Sequence, residues 1–382
     1  MKVDLFGEKQ TGRLVPVVGS REVTHAFVPN MLPPEWKWPG EHWPLLLEAH
    51  KALSSLDGTG KHLPNASLVL RPLQNREAQK SSSLEGTYTE PKQQVLFELD
   101  PKYGTSAEDP INAQREVFNY SRALRHRKEN RDKLPVSLRL IRDLHRILMD
   151  GVRGSDKRPG DFRTLQNQIG RPARFVPPPP GPMLELLDNL EKYIHTERAY
   201  DTLVDAFLVH YQFEAIHPFM DGNGRVGRLL LAILIEEWCE LSGQWLYMSA
   251  YFDENKDKYM ELLFKVSSEG GWAPWIQFCL EGVIVAAEDT QNRCERLVSL
   301  HRDFHDRLRK GAGSVRLAAI VDDLFVSPVA VVTRIASKHG VTYPTARADL
   351  KRLEKAGILH LLEGSQQIAY FCPQIFEITY AD

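Results

Sequence analysis

The chain has 382 residues, enough for two or three domains of ordinary size. Hydrophobic residues make up 42% and charged residues 26%, a balance that supports a sizeable core and excludes wholesale disorder. Lys and Arg total 48 against 50 Asp and Glu, a net charge of −2, which argues against a chain that coats nucleic acid by charge alone. The longest apolar run, Leu229 to Ile235, has seven residues, where a membrane helix needs about 20. The first residues, MKVDLFGEKQTGRLV, lack the apolar centre of a secretory signal. Cys239, Cys279, Cys294 and Cys372 form no C-x-x-C pair, which excludes a zinc ribbon and argues against a disulfide scaffold. A cytoplasmic protein is expected.

Residues 1–110 read as an N-terminal region punctuated by Pro, Trp and Gly. A short helix over Leu45–Leu56 is expected to close at the turn signal Asp57-Gly58. A polar helix follows within Leu68–Leu84, starting near Pro72, with Gly86 placed as the glycine just past its end. Residues 111–300 are dominated by helical periods: VFNYSRALRHRKEN, SLRLIRDLHRILMDG, LELLDNLEKYIHTE and VDAFLVHYQFEAIH repeat apolar residues at i, i+3 and i+4. RVGRLLLAILIEEWCELSG, after Gly224, is apolar nearly all round and belongs at the centre of a bundle. Arg163–Phe175 interrupts the helices and fits either a small hairpin or an ordinary loop. Pro177–Pro180 is a rigid extended link. In residues 301–382, helices are expected over Val315–Phe325, Val329–His339 and Thr342–Ala356. Two short strands around the turn Glu363-Gly364 follow them. Three helices and a hairpin make a winged helix-turn-helix. The overall expectation is a mainly α fold: a helical bundle with a small β-hairpin flap and this C-terminal unit.

The segment FEAIHPFMDGNGRVGRLL carries the chemistry. His217, Asp221, Asn223, Arg225 and Arg228 crowd with three glycines into twelve positions between two apolar helices. Gly222-Asn223-Gly224 can adopt positive φ and turn backbone N–H groups inward. The helix that follows offers unpaired amides and a positive dipole end at the same point. Arg225 and Arg228, three apart, add two cations on one helical face. Asp221 is a hard carboxylate suited to Mg²⁺ beside phosphates. His217 can be a neutral imidazole near pH 7 and take a proton from a hydroxyl. Base, metal ligand, phosphate cradle and charge clamp together describe phosphoryl or nucleotidyl transfer. Gly222-x-Gly224-x-x-Gly227 also matches the dinucleotide fingerprint, but a helix precedes it and no βαβ unit surrounds it.

HPFMDGNGRVGR, residues 217–228, resembles the signature H-P-F-x-[DE]-G-N-G-R-x-x-R of the Fic (filamentation-induced-by-cAMP) family at every fixed position. The resemblance extends over the helical context from about Ile111 to Leu300. It implies an all-helical core that transfers AMP from ATP to a Ser, Thr or Tyr hydroxyl of a target protein. On this chain it implies His217 as base and Asp221 as Mg²⁺ ligand. Asn223 and the amides around it, across Gly222, Gly224, Val226 and Gly227, would form the nucleotide's anion hole. Arg225 would support the β-phosphate and Arg228 the γ-phosphate. Ser81-Ser82-Ser83-Leu84-Glu85-Gly86 resembles the family's inhibitory motif [ST]-x-x-x-E-[GN]. That likeness implies Glu85 paired with Arg228, misdirecting ATP, with Ser81 opening the motif. A carboxylate there could also position a water that removes AMP, so self-modification and the reverse reaction stay open.

Within the resemblance, Arg163–Phe175 takes the place of the flap that aligns a target by strand addition. SAYFDENKDKYMELL resembles the segment that closes on adenine, with Tyr259 as its tyrosine and Met260 where relatives carry a second aromatic. His301 and His305 are spaced i, i+4, but HRDFH lacks the H-E-x-x-H glutamate and a third ligand, so they read as a solvated face. Residues 329–372 carry six basic and three acidic side chains, a thin excess for DNA docking, and protein contacts or a homodimer fit equally. The rival to an enzyme is a winged-helix DNA-binding regulator whose helical domain senses a nucleotide. Retention of His217 favours the enzyme, because a sensor needs the cradle and no base.

Overall fold

The computed structural model describes residues 3–17, 24–63, 66–106, 109–152, 158–170, 172–310, 314–363 and 367–381. The chain opens with an antiparallel pair, β1 (Gly12–Pro16) and β2 (His25–Pro29), in the register Gly12↔Pro29. Three helices follow: α1 (Trp43–Lys61), α2 (Ser67–Leu84) and α3 (Pro91–Leu99). The central bundle comprises α4 (Ile111–Glu129), α5 (Leu138–Leu148), α6 (Pro180–His195), α7 (Thr202–Ile216) and α8 (Asn223–Trp238). Next come α9 (Ser249–Glu254), α10 (Lys256–Glu269) and the long α11 (Trp272–Lys310). The C-terminal unit contains α12 (Val315–Val326), β3 (Val329–Val331), α13 (Val332–Lys338), α14 (Tyr343–Lys355), β4 (His360–Leu361), β5 (Ala369–Phe371) and α15 (Pro373–Tyr380). Its three strands form an antiparallel sheet in the order β3-β5-β4. The mainly α class read from the periodicity is the observed one. Among the described residues, no helix is long and apolar enough to cross a membrane.

The core sits on α7 and α8. Every residue from Leu203 to Phe213 is buried, as are Val226 and Leu229 through Ile235, so these helices are enclosed on all sides. Each such large apolar side chain contributes about 1.5–3 kcal/mol of burial free energy. Asp201 caps α7, accepting from the Leu203 amide at 2.9 Å, and Ser137 caps α5 through the Leu140 amide at 3.3 Å. The helix before the signature loop and the one after it are therefore both rigidly embedded, which fixes the loop between them.

Several local expectations are corrected. Asp57-Gly58 does not end the first helix, and α1 continues to Lys61. The Asp57 carboxylate is held by Lys61 at 2.6 Å and by the Ser242 amide at 2.7 Å, so it braces the helix where a turn was expected. α2 starts at Ser67 and carries Pro72 inside it rather than at its start. Within Arg163–Phe175 the pairing is one antiparallel bridge, Ile169↔Phe175, not a full hairpin, and Arg171 lies outside the described residues. Val329–Val331 is a strand because it pairs with β5, and the helix begins only at Val332. Gly364, half of the expected turn, lies outside the described residues. The expected boundary at 300/301 falls within α11, which runs unbroken to Lys310. Arg293 on α11 donates to the carbonyls of Ile378 at 2.5 Å and Ala381 at 2.9 Å, satisfying the C-terminal end of α15.

Gly60 shows how tightly α1 is seated. A Cβ there would lie 2.3 Å from Cε2 of Trp245, whose indole is buried. Gly60→Val should cost about 1–3 kcal/mol of stability by overpacking. Urea unfolding checks this, and an unchanged midpoint would show that the indole can move aside.

Candidate active site

α7 ends at Ile216, and His217 caps it at φ 50°, ψ 61°, a left-handed conformation that costs a non-glycine residue about 1–2 kcal/mol. The surroundings hold it there. Arg163 donates from Nε to the His217 carbonyl at 2.9 Å and from Nη2 to the carbonyls of Pro178 and Ile216. His217 Nδ1 lies 3.3 Å from the Glu214 carbonyl, an acceptor only, so Nδ1 carries the proton and Nε2 keeps its lone pair. Burial pushes the imidazole down to about 4, which keeps it neutral near pH 7. It is an imidazole able to accept a proton.

The loop after it is braced rather than left open. Asn223 accepts from the Phe219 amide and donates to the Phe219 carbonyl, both at 2.8 Å. Its side chain thus braces the loop, beside the unpaired backbone amides that open α8. Only Gly222 of the three signature glycines has positive φ, at 74°, because α8 already starts at Asn223. Gly224 and Gly227 serve close approach. A Cβ on Gly224 would sit 2.2 Å from Glu85 Oε1, and one on Gly227 would sit 2.2 Å from Glu214 Oε1. Val226 is a buried core residue of α8. Asp221 Oδ1 accepts from the Gly222 amide at 2.8 Å. The Asp221 carbonyl accepts from His145 Nε2 at 3.1 Å, while His145 Nδ1 accepts from the Gly160 amide at 2.8 Å. The His145 ring also stacks on Phe219, with centroids 3.8 Å apart.

The two arginines diverge. Arg225 pairs with Glu116 of α4 at 3.1 Å, and both are buried. Arg228 pairs with Glu85 at 2.7 Å and donates to the Ser81 hydroxyl at 2.9 Å and the Ser81 carbonyl at 2.8 Å. Burial opposes the charge of Glu85, but the Arg228 guanidinium outweighs it and holds the carboxyl below its usual range. The end of α2 is built for this contact. Gly86, at φ 84°, donates to the Ser83 carbonyl and Thr87 to that of Ser82, a Schellman closure with glycine where the sequence places it. Thr87 in turn donates to Glu116 Oε2 at 2.8 Å.

His217, Gly224, Arg228, Glu85 and Tyr259 line one cavity of about 180 Å³ that opens to solvent. Ile169, Phe175, Met260, Leu263 and Phe264 supply apolar walls. Tyr259 lines it with its ring stacked on Phe252, centroids 4.5 Å apart, and its hydroxyl 2.9 Å from His210 Nε2. The Arg225 guanidinium points instead toward Glu116. Sequence reasoning missed Glu214, which lines the cavity with Oε1 buried and without a hydrogen-bond partner. An acid three residues before His217, in a largely apolar helix, was the signal available to find it. Arg163, Glu116 and Thr87 carried none.

An imidazole, a loop-to-helix turn and a buried arginine around one cavity make the candidate site of this helical bundle, and known proteins resemble the chain across it. Residues 135–235 match the Fic/DOC family and residues 43–127 the Fic/DOC family N-terminal region, so the chain carries a Fic/DOC domain preceded by its N-terminal partner. The chain is 28% identical over 194 residues to the protein adenylyltransferase Fic of Drosophila erecta, matching 46% of this chain and 35% of that protein. It is 30% identical over 151 residues to that of Drosophila grimshawi, matching 38% and 28%. It thus spans about a third of the length of the curated relatives it matches. A Fic family protein from Desulfovibrio desulfuricans G20 shares the fold with a TM-score of 0.57 at 21% identity, over 89% of this chain and 98% of that one. Fic-1 from C. elegans does so with a TM-score of 0.50 at 19% identity, over 68% and 74%.

Burial pushes the Glu214 carboxyl up to about 7 against the pull of Arg228, with Glu85 adding to the rise. Between pH 4.5 and about 7 the folded chain keeps a proton that the unfolded chain has released. Stability therefore falls as pH rises through that window, and the penalty is complete above it. Glu214→Gln lacks this titration, so its stability relative to wild type should climb across the window in urea melts at stepped pH. A constant difference would show that Glu214 holds no such proton.

Proposed function

We propose that the chain is a protein adenylyltransferase that moves AMP from ATP to a Ser, Thr or Tyr hydroxyl of a target protein, restrained by Glu85. The observation that carries this reading is the convergence of His217, the opening of α8 and Arg228 on one cavity, with Glu85 paired to Arg228 at 2.7 Å. In this reading the apolar wall of Tyr259, Met260, Leu263 and Phe264 takes the base. The first-turn amides of α8, those of Asn223, Gly224 and Arg225, face the phosphates, since the Gly222 and Val226 amides already have partners, and Arg228 takes the γ-phosphate. His217 Nε2 accepts the proton of the incoming hydroxyl as its oxygen bonds to the α-phosphorus. The bridging bond to the β-phosphate breaks, and pyrophosphate leaves with its electron pair. Arg225, buried against Glu116, acts on the β-phosphate side only if that pair opens.

Asp221 is the residue that would hold Mg²⁺. A single carboxylate next to a phosphate cradle fits that ion, which is bound by one or two carboxylates plus phosphate oxygens and waters. When bound it would neutralise charge on the triphosphate. The restraint rests on Glu85 filling the position of an anion on Arg228, which leaves the γ-phosphate no partner there. The C-terminal helices and sheet are read as a winged helix.

His217→Ala should lower transfer of label from α-³²P-ATP by about 10²–10⁴-fold while nucleotide binding stays near wild type. Unchanged labelling would remove His217 from its role. Glu85→Gly should raise self-labelling at least tenfold. If labelling stays flat while ATP binding is intact, the restraint reading fails and the transfer reading survives.

A further inference from the structure

A second constellation lies away from the signature loop, where α11 meets α12. His301 and His305, one turn apart on α11, aim their Nε2 atoms at one carboxylate oxygen, Asp322 Oδ1 on α12, at 2.7 and 2.9 Å. The two Nε2 atoms are 3.2 Å apart. The sequence pattern HRDFH lacked a third ligand, and folding supplies it 17 residues beyond His305. Among the described residues, this is the group of His, Cys, Asp and Glu whose donor atoms converge closely enough to hold a metal ion. All three side chains are partly exposed, at 27%, 26% and 48%, so an ion and a water ligand can reach them.

We propose that His301, His305 and Asp322 form a binding site for a divalent transition-metal ion of the Zn²⁺ type that staples α11 to α12. The geometry fits such an ion. With metal–ligand bonds of about 2.0–2.1 Å, the edge of a tetrahedral coordination shell is about 3.3 Å and that of an octahedral shell about 2.9 Å. Two of the three edges here, 2.9 and 3.2 Å, fall within that range, and the third, 2.7 Å, lies 0.2 Å below it. Hydrogen bonding alone would set two ring N–H groups side by side on one oxygen. One cation satisfies all three lone pairs at once and leaves a coordination position open to water. Two imidazoles select a borderline transition metal over Mg²⁺ or Ca²⁺, which prefer all-oxygen shells. His301 also packs edge-on against Phe325 of α12, with centroids 5.1 Å apart, so its ring is oriented before any ion arrives. The ion would tie the long helix that reaches back into the core to the first helix of the C-terminal unit.

The test uses the full chain freed of metal by chelation and titrated with Zn²⁺ against a chromogenic chelator. Wild type should take up one equivalent, a hundredfold excess of Mg²⁺ should not displace it, and Zn²⁺ should raise Tm. His305→Asn and Asp322→Asn, confirmed as folded by circular dichroism, should each weaken binding at least tenfold and lose the Tm shift. Should either variant fold poorly, Co²⁺ added to wild type should give the visible absorption of a low-coordinate nitrogen-ligated site. Uptake below half an equivalent, displacement by Mg²⁺, variants that bind as wild type, or no such Co²⁺ absorption would each overturn the proposal.

Discussion

The Arg228 guanidinium is almost fully enclosed, with 3% of its side chain exposed, and a charge so buried requires a counter-charge at all times. Glu85 supplies it from α2, and Ser81 occupies further N–H donors from the same helix. Removing one partner of a fully buried pair typically costs about 3–5 kcal/mol; with 41% of the Glu85 side chain exposed the cost here is smaller, but loss of Glu85 still leaves the guanidinium enclosed and alone. A vacated guanidinium is therefore not a resting state for this fold. Either the carboxylate or another anion of similar reach must sit there. In the proposed reading a terminal phosphate is that other anion, so restraint and substrate placement become a competition for one cation.

The same logic explains why α2, with a polar sequence, is buried along one face. Ser81, Ser82 and Glu77 are enclosed, and Ser83 donates to Asp253 at 3.0 Å. Glu77 accepts from Tyr120 at 2.8 Å and from Ser249 at 2.5 Å, and burial pushes its carboxyl up to about 7. Thr87, just beyond the helix, holds Glu116, which in turn holds Arg225. Both signature arginines thus answer to acids positioned by the end of α2. That helix packs against α4, α8 and α9 of the core on one side and α12 and α15 of the C-terminal unit on the other. Its release is a local opening that must break polar contacts in both directions.

The bundle was legible because its helices carry strong periodicity. The signature loop was legible because polar side chains packed so densely between two apolar helices rarely serve packing alone. The pairing of Glu85 with Arg228, 143 residues apart, was legible only through the motif likeness; no local pattern joins them. Reading failed where tertiary contacts overrode local signals. Asp57-Gly58 looks like a turn until Lys61 and Ser242 claim the carboxylate. The His301–His305 pair looks like solvated surface until Asp322 arrives from another helix. β1, β2 and α15 went unread because short elements leave too little periodicity.

The two sides of the cavity differ in how they are fixed, and that difference constrains any mechanism of restraint. His217 is locked without help from α2: its carbonyl is clamped by Arg163, its Nδ1 faces the Glu214 carbonyl, and its left-handed backbone is wedged between the end of α7 and Pro218. The loop behind it is tied by Asn223 to Phe219 and by His145 to the Asp221 carbonyl. Nothing in this half has to move when Glu85 leaves. The anion side is the reverse, since Arg228 draws on α2 for its partners. In the proposed reading, an imidazole preorganised on a rigid helix end, facing a cation whose partner can be exchanged, places control on how the triphosphate lies and not on the readiness of the base. A restraint of this kind can be lifted by moving one helix while the proton acceptor stays where the core holds it.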